Sequence, residues 1–298
     1  TFSPAFQPAF HSTRRPRMIP NQFEYASPAT LQEALQLIAD GTGKILAGGM
    51  SLIPMMKLRL ASPGSVVDLG RVPGLNQIGE SAGVVHIGAM ATHHDIETSP
   101  VIRSRCPLLA EAAASIGDIQ VRNRGTIGGS IAHADPAADY PAALLALEAQ
   151  VRLASAASER TVAAADFFQD AFTTAIEPGE IVVELLVPAE EGSEGYKYVK
   201  AVHPASGFAV VVVAARVKTT GGKISMARIA VTGMGPRAFR DRAAEKLLEG
   251  GADVAAAAAV VGEGQETNSD LYASGDYRRH LARVHAARAL AAAVSRAT

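Results

Sequence analysis

Ile45-Leu46-Ala47-Gly48-Gly49-Met50-Ser51-Leu52 reads as a short strand running through two adjacent glycines into the start of a helix. A second stretch of the same character follows at Arg122-Asn123-Arg124-Gly125-Thr126-Ile127-Gly128-Gly129-Ser130. Adjacent glycines have no side chains, so backbone N–H groups can face a bound anion, and a neighbouring hydroxyl adds a donor. A helix starting at Ser51 would contribute its unpaired first-turn amides. Two such loops could hold a pyrophosphate between them with little help from Lys or Arg. Spacing alone does not decide the matter, because Gly-Gly pairs more often mark tight turns. Neither loop reads Gly-x-Gly-x-x-Gly, and Gly221-Gly222-Lys223 lacks the upstream glycine and following hydroxyl of a P-loop. A nucleotide or other anion site and a pair of structural turns both stay open.

Working outward, Ser27-Pro28 predicts a helix start, with Leu31, Ala34, Leu35 and Ile38 at helical spacing until Gly41. Strands are predicted at Lys44 to Ala47 and Ser65 to Leu69. A second segment has strands at Val84 to Ile87, Val151 to Ala154 and Ile181 to Val187, with helices at Leu108 to Ile116 and Ala137 to Ala149. The third opens with a strand at Tyr196 to Val202. A hairpin follows, Phe208 to Lys218 and Lys223 to Thr232 about the turn Gly221-Gly222. Helices then run through Arg237 to Leu248, Val254 to Val261 and Tyr277 to Arg296. The division is 1–17 as a disordered extension or upstream sequence (with Met18 as a natural start), then 18–72, 73–192 and 193–298. Strict βαβ alternation is missing, so the fold class is α+β and not a doubly wound sheet.

The 298 residues carry 28 Lys and Arg against 29 Asp and Glu, a net charge of −1. No basic excess or long basic run marks a nucleic-acid or membrane-surface partner. No stretch is apolar enough for a membrane span. The single cysteine, Cys106, allows no intrachain disulfide and cannot supply the thiolates of an iron–sulfur cluster. His93-His94-Asp95 looks like a metal cluster, but adjacent helical residues point about 100° apart, and Thr92 as an N-cap explains the stretch better. His133 with Asp135 and Asp139 forms no recognised ligand set. Arg278, Arg279, Arg283, Arg288 and Arg296 read as a solvated helix face, open to contact with a partner.

Taken together, Ala47-Gly48-Gly49-Met50-Ser51-Leu52, Arg122-Asn123-Arg124-Gly125-Thr126-Ile127-Gly128-Gly129 and Ala134-Asp135-Pro136-Ala137-Ala138-Asp139 resemble the FAD-binding (medium) subunit of the xanthine oxidase and molybdenum-containing carbon monoxide dehydrogenase family. The likeness runs from about Pro20 to the C-terminal helices. It implies a vanillyl-alcohol-oxidase/PCMH-type two-subdomain FAD-binding fold plus a C-terminal antiparallel-sheet-and-helix subdomain. By position, Ile45, Leu46, Ala47, Gly48, Gly49, Met50, Ser51 and Leu52 would line the pyrophosphate together with Thr126, Ile127, Gly128, Gly129 and Ser130. Asp139 would accept from FAD hydroxyls, Ile116 and Val182 would touch the cofactor's apolar surface, and Lys200 would lie near the flavin. Phe208 would stack near the ring and gate access, or serve as a core aromatic at a strand start. Ser130 stands where many relatives have Asn. His203-Pro204-Ala205-Ser206-Gly207-Phe208 departs from a common pattern of Arg after the lysine and an acidic residue before the aromatic.

The resemblance also implies a division of labour. Substrate oxidation would occur at a molybdopterin-type molybdenum cofactor on a large partner subunit, and [2Fe-2S] clusters on a small partner would relay electrons to FAD on this chain. It would then pass them to an external acceptor, quinone being one candidate. The run Ala132-His133-Ala134-Asp135-Pro136-Ala137-Ala138-Asp139-Tyr140-Pro141 brings carbon monoxide dehydrogenase nearest, in a dimer of heterotrimers in the cytoplasm, reaching the inner face of the membrane through its partners. Flavin subunits of aldehyde, purine or N-heterocycle hydroxylases are the alternative. A stand-alone FAD oxidoreductase would need a base beside the flavin, and a non-catalytic assembly module would not need its glycines.

Overall fold

The computed structural model describes residues 18–190 and 192–297, so the extension 1–17 lies outside the described residues. The first fifty or so of these alternate strand and helix: β1 (Glu24–Ala26), α1 (Leu31–Leu37), β2 (Lys44–Leu46), α2 (Leu52–Lys57) and β3 (Ser65–Asp68). Their three strands form a parallel sheet of order β1-β3-β2. Helix α1 starts later than the Ser27-Pro28 signal. Thr30 is its cap, accepting from Glu33 N–H, while the Glu33 carboxylate accepts from Ala29 N–H at 2.9 Å. That reciprocal pair satisfies two amides that a Ser27 cap would leave unpaired.

A five-stranded antiparallel sheet comes next, of order β4-β5-β10-β6-β7, from β4 (Ile78–Ser81), β5 (Val84–Gly88), β6 (Gln150–Ala154), β7 (Glu159–Ala163) and β10 (Ile181–Pro188). A small hairpin, β8 (Phe168–Asp170) with β9 (Thr173–Thr174), lies outside it. Between β5 and β6 run six short helices: α3 (His93–Thr98), α4 (Pro100–Arg105), α5 (Pro107–Ala114), α6 (Ile119–Arg122), α7 (Ile127–His133) and α8 (Tyr140–Ala146). Helix α9 (Ala164–Phe167) follows β7. Strand β10 carries a register shift between Val182 and Glu184. Ile181 and Val183 therefore pack toward the N-terminal sheet, while Val182, Leu185 and Val187 join the helices' core. The predicted helix Ala137 to Ala149 is shorter because the Asp135 carboxylate accepts Ala137 N–H at 2.8 Å, holding a turn ahead of Tyr140.

The third unit is a four-stranded antiparallel sheet, β11 (Glu194–Val202), β12 (Ala209–Thr220), β13 (Lys223–Thr232) and β14 (Phe239–Arg240), backed by α10 (Arg242–Glu249), α11 (Val254–Ala259) and α12 (Gly275–Arg296). Strand β12 is buried on both faces, which explains its unbroken apolar run. Val212 and Ala214 enter the core shared with α3 to α8, whereas Val211, Val213 and Val217 pack under α12. Alanines 282, 286, 289 and 293 let α12 lie close on the sheet. The approach is so close that a Cβ on Gly195 would sit 1.9 Å from Ala293 O. The predicted helix from Arg237 instead begins as β14, since Phe239 and Arg240 pair with Val231 and Ala230. Asp241 then caps α10 through Ala244 N–H.

The arginine stripe on α12 is solvated only in part, with Arg288 exposed and the other four engaged by protein acceptors. Arg278 is 6% exposed and donates to Val210 O at 2.6 Å, Gly233 O at 2.8 Å and Asp270 Oδ2 at 2.6 Å. Arg279 and Arg283 donate to backbone carbonyls of the 261–265 turn, and Arg296 to Glu111 and Tyr196 O. The sequence pattern marked the cations but not the carbonyls facing them. No helix of the described residues is long and apolar enough to cross a membrane.

Candidate functional site

The two glycine loops meet. A Cβ on Gly48 would lie 2.0 Å from Arg124 O, and one on Gly129 would lie 3.5 Å from the Ala47 methyl. Glycine at 48 is therefore what lets the N-terminal sheet's loop close onto the second loop. Gly49, at φ +78°, then turns the chain toward α2. Among the described residues, the backbone N–H groups of Gly48, Gly49, Met50, Ser51 and Leu52 donate to no protein acceptor. Five unengaged amides in succession, half-buried apart from the more exposed Met50, form a cradle that calls for an external acceptor.

The second loop contributes differently from the expectation. Its amides are committed internally: Ile127 N–H to Ala91 O (3.0 Å), Gly128 N–H to Ala89 O (2.9 Å), Gly129 N–H to Thr126 Oγ1 (3.1 Å) and Ser130 N–H to Thr126 O. Thr126, Ile127 and Gly128 are buried, and a Cβ on Gly128 would sit 2.5 Å from that of Ala89. These three residues brace the loop from behind. Gly129 and Ser130 are half-buried on the side of Ala47, and neither the Ser130 nor the Ser51 hydroxyl has a hydrogen-bond partner among the described residues. Behind Gly125 stands His93, whose Nδ1 is 3.0 Å from the Tyr140 hydroxyl. Burial, aided by Arg122, pushes its pKa down to about 4, so it is a neutral packing group. The predicted capping role of Thr92 holds, with Asp95 completing a capping box. No set of three or more His, Cys, Asp or Glu side chains that could hold a metal occurs among the described residues.

A second cluster is built from β11 and the end of α5. Lys200 (4% exposed) lies 2.8 Å from Asp139 Oδ1 and 3.0 Å from Oδ2, and donates to Ser115 O at 2.8 Å. Tyr198, two residues back on β11 and so on the same sheet face, donates to Asp139 Oδ1 at 2.5 Å. Both Asp139 oxygens thus have internal donors, and the carboxylate is 6% exposed. Its geometry is that of a counter-ion holding Lys200, with both oxygens already engaged from within the chain. Burial raises the Asp139 pKa, while Lys200 and Tyr198 pull it back. The Tyr198 hydroxyl is pushed well up by burial and then by Asp139, so it stays a donor.

The two clusters are joined by residues 116–125. Arg122 Nη1 donates to Ile116 O at 3.1 Å and its Nε to Glu97 at 2.9 Å, fixing the half-buried Ile116 beside the Lys200–Ser115 contact. Glu111 holds β11 in place by accepting from Tyr198 N–H at 2.9 Å and Lys197 Nζ at 3.2 Å. Of the remaining expected residues, Ile45 and Leu46 are half-buried on β2. Val182 is buried in the sheet core and packs with Leu185 and Val187. Phe208 is 49% exposed, which removes its reading as a core aromatic. Cys106 is fully buried, and burial pushes its thiol up to about 12, so it is a packing residue. Tyr198 and Glu111 were missed in the sequence. Tyr198 was findable from its spacing to Lys200, whereas the partners of Glu111 lie too far along the chain to leave a local signal.

These features fit FAD. Unengaged amides and two free hydroxyls suit a diphosphate, and a buried ammonium suits negative charge on a reduced ring. Comparison with known proteins agrees. Residues 21–190 match the FAD binding domain in molybdopterin dehydrogenase, and 195–293 match the CO dehydrogenase flavoprotein C-terminal domain. The chain is 40% identical over 285 residues to the carbon monoxide dehydrogenase medium chain of Hydrogenophaga pseudoflava, covering 94% of this chain and 99% of that one. It is 42% identical over 236 residues to the glyceraldehyde dehydrogenase medium chain of Sulfolobus acidocaldarius, covering 78% and 83%. The solved structure of the Hydrogenophaga pseudoflava carbon monoxide dehydrogenase lacking the Mo-pyranopterin moiety superposes with a TM-score of 0.90 at 43% identity, covering 93% and 99%.

Proposed function

The chain belongs to the FAD-binding flavoprotein family of the molybdopterin dehydrogenases, and from that premise we propose that it carries FAD as the electron-transfer subunit of a molybdenum hydroxylase complex. The observation that carries this reading is the run of five unengaged amides, Gly48 to Leu52, tied through residues 116–125 to the buried Lys200–Asp139 pair. In this reading Gly48 to Leu52, with Gly129 and Ser130, receive the diphosphate. Ile45, Leu46, Ala47, Ile116 and Val182 flank the cofactor, and Thr126, Ile127 and Gly128 support the second loop. Lys200, held by Asp139 and the Ser115 carbonyl, places a cation where reduction adds negative charge. When bound, FAD accepts electrons singly and releases them singly or in pairs, which suits a junction between clusters and an acceptor.

A lone buried cysteine cannot ligate [2Fe-2S] clusters, so these belong to a small partner subunit, and the molybdenum cofactor to a large one. The assembly is a dimer of such heterotrimers, cytoplasmic, with an external acceptor of the quinone class and contact to the inner membrane face through its partners. Carbon monoxide ranks first as the substrate of the complex, because the carbon monoxide dehydrogenase relative is spanned over 99% of its length. The glyceraldehyde dehydrogenase relative, at 42% identity, keeps an aldehyde as the second reading, since substrate choice lies with the molybdenum subunit.

The test is flavin stoichiometry in the purified chain, alone and reconstituted with its partners, against Ser51→Glu and Ser130→Glu. Both hydroxyls are half-buried and unbonded, so the added carboxylates repel a diphosphate without breaking a protein contact. Near-unit FAD in the parent with loss of about tenfold or more in affinity in the variants is expected. No FAD in the parent, even in the reconstituted complex, refutes the reading.

A further inference from the structure

Loop 203–208 joins β11 to β12 at the end of the strand that bears Lys200, and its chemistry differs from that of the cradle. His203 N–H donates to Phe208 O at 2.8 Å and Gly207 N–H to His203 O at 2.9 Å, so the hairpin holds His203 and Phe208 opposite each other. Gly207, at φ +72°, brings the loop against Gly117, next to Ile116. The Ser206 backbone N–H donates to His203 Nδ1 at 3.2 Å, and the Ser206 hydroxyl lies 3.1 Å from the same nitrogen. A backbone amide can only donate, so Nδ1 is the unprotonated nitrogen and the ring proton sits on Nε2. Nε2 has no protein acceptor among the described residues. The imidazole packs on the Tyr272 ring, centroids 4.3 Å apart.

The surroundings are apolar and open. Tyr272 (48% exposed) packs on the imidazole and Phe208 (49%) stands opposite His203 across the loop, while Val202 (53%), the residue before His203, is two residues along β11 from Lys200 and shares its sheet face. An oriented N–H donor set among aromatic and aliphatic side chains suits a flat, apolar ring bearing a carbonyl oxygen, which stacks and accepts one hydrogen bond. A dinucleotide acceptor would want cations or amides for its phosphates. Residues 202–208 contain no Lys or Arg, and Arg278 is committed to Asp270 and two carbonyls.

We propose that His203, Tyr272 and loop 203–208 form the docking site of a quinone-class electron acceptor, with His203 Nε2–H donating to a quinone carbonyl. This rests on the FAD-subunit reading above. The quinone gains two electrons and two protons and leaves as the quinol. FAD, when bound and reduced, would supply both electrons and one proton, and water would supply the second proton.

The test uses the assembled, FAD-loaded complex reduced anaerobically with dithionite, so that it is independent of the substrate. Flavin reoxidation is followed after mixing with a short-chain ubiquinone analogue or with ferricyanide. His203→Leu and Tyr272→Ala are expected to raise the half-saturating quinone concentration about tenfold, with FAD content and ferricyanide reoxidation unchanged. His203→Gln, which keeps a side-chain N–H, should recover most of that loss. An unchanged quinone dependence in both variants overturns the proposal. So does loss of FAD or of ferricyanide reoxidation in His203→Leu, which would make His203 a cofactor or subunit contact, and so does faster reoxidation of the parent by NAD than by the quinone. Absence of FAD from the parent complex would instead defeat the reading on which this one rests.

Discussion

Replacing Lys200 by Met keeps the aliphatic stem and removes the ammonium that is 4% exposed, leaving the Asp139 carboxylate, 6% exposed, without its counter-ion. Breaking a buried ion pair from one side costs about 3–5 kcal/mol, because the stranded charge is the expense. Tyr198 still donates to Asp139, so the lower end applies, about 3 kcal/mol near neutral pH. For a chain of 298 residues that corresponds to a fall of roughly 5 °C in the melting temperature. The pH dependence has a definite sign. Burial already holds the Asp139 pKa above its ordinary value, with Lys200 the main opposing influence. Without Lys200 the folded-state pKa rises further above the unfolded one. A carboxyl with a raised folded pKa adds stability below the unfolded value and loses it as pH rises through the folded value. The deficit of Lys200→Met should therefore be largest at about pH 8 and narrow on acidification to about pH 5. Lys200→Met/Asp139→Asn, which strands no charge, should recover at least about 1 kcal/mol relative to Lys200→Met. Thermal melts of the three variants across that pH range check this. A deficit below about 1 kcal/mol, or one that does not change with pH, refutes the assignment of a buried, mutually dependent pair.

Other expectations are as direct. Gly48→Ala should abolish flavin retention and destabilise the fold by at least about 2 kcal/mol, since its methyl would meet Arg124 O at 2.0 Å. Gly79→Ala, which meets nothing within 4 Å, should stay within about 0.5 kcal/mol, and equal melting curves for the two would sink this account of the loop contact. His93, held at about 4 by burial and by Arg122, should show no imidazole titration by NMR between about pH 5 and 8. The stability it contributes is complete above its unfolded pKa of 6.5 and lost as pH falls through about 4. A midpoint near 6.5 would place it at the surface. Arg278→Met should cost about 3 kcal/mol or more, whereas Arg288→Ala, on the exposed side of the same helix, should cost under about 0.5, as read by chemical denaturation.

Much of the architecture could be read along the chain where the cause is local. The β12–β13 hairpin starts at Lys223 as predicted because Gly221 and Gly222 take φ +58° and +75°, which a tight turn requires. The helix after Thr92 begins where the cap predicts, because both halves of its capping box lie within four residues. Where a distant partner competes with local preference, the reading shifted. Phe239-Arg240 pairs with β13 in place of opening a helix, and Ala137 is held in an Asx turn ahead of α8.

What the sequence by itself determined is therefore the set of short-range choices: the strand-glycine-helix shape of both loops, the turns, the caps, and a cysteine count too low for a cluster. These follow from backbone dihedral limits and from hydrogen bonds that close within a few residues. Only the tertiary structure decided which amides remain free, which glycines serve contact and which serve a ligand, and which charges are buried. Gly48 and Gly128 look alike in sequence, yet one borders an unengaged cradle and the other is pressed on Ala89. Lys200 and Asp139 are 61 residues apart, and Arg278 meets carbonyls 45 and 68 residues away. The energy of a buried polar group depends on the partner that folding brings opposite it, and that partner has no fixed place in the local pattern.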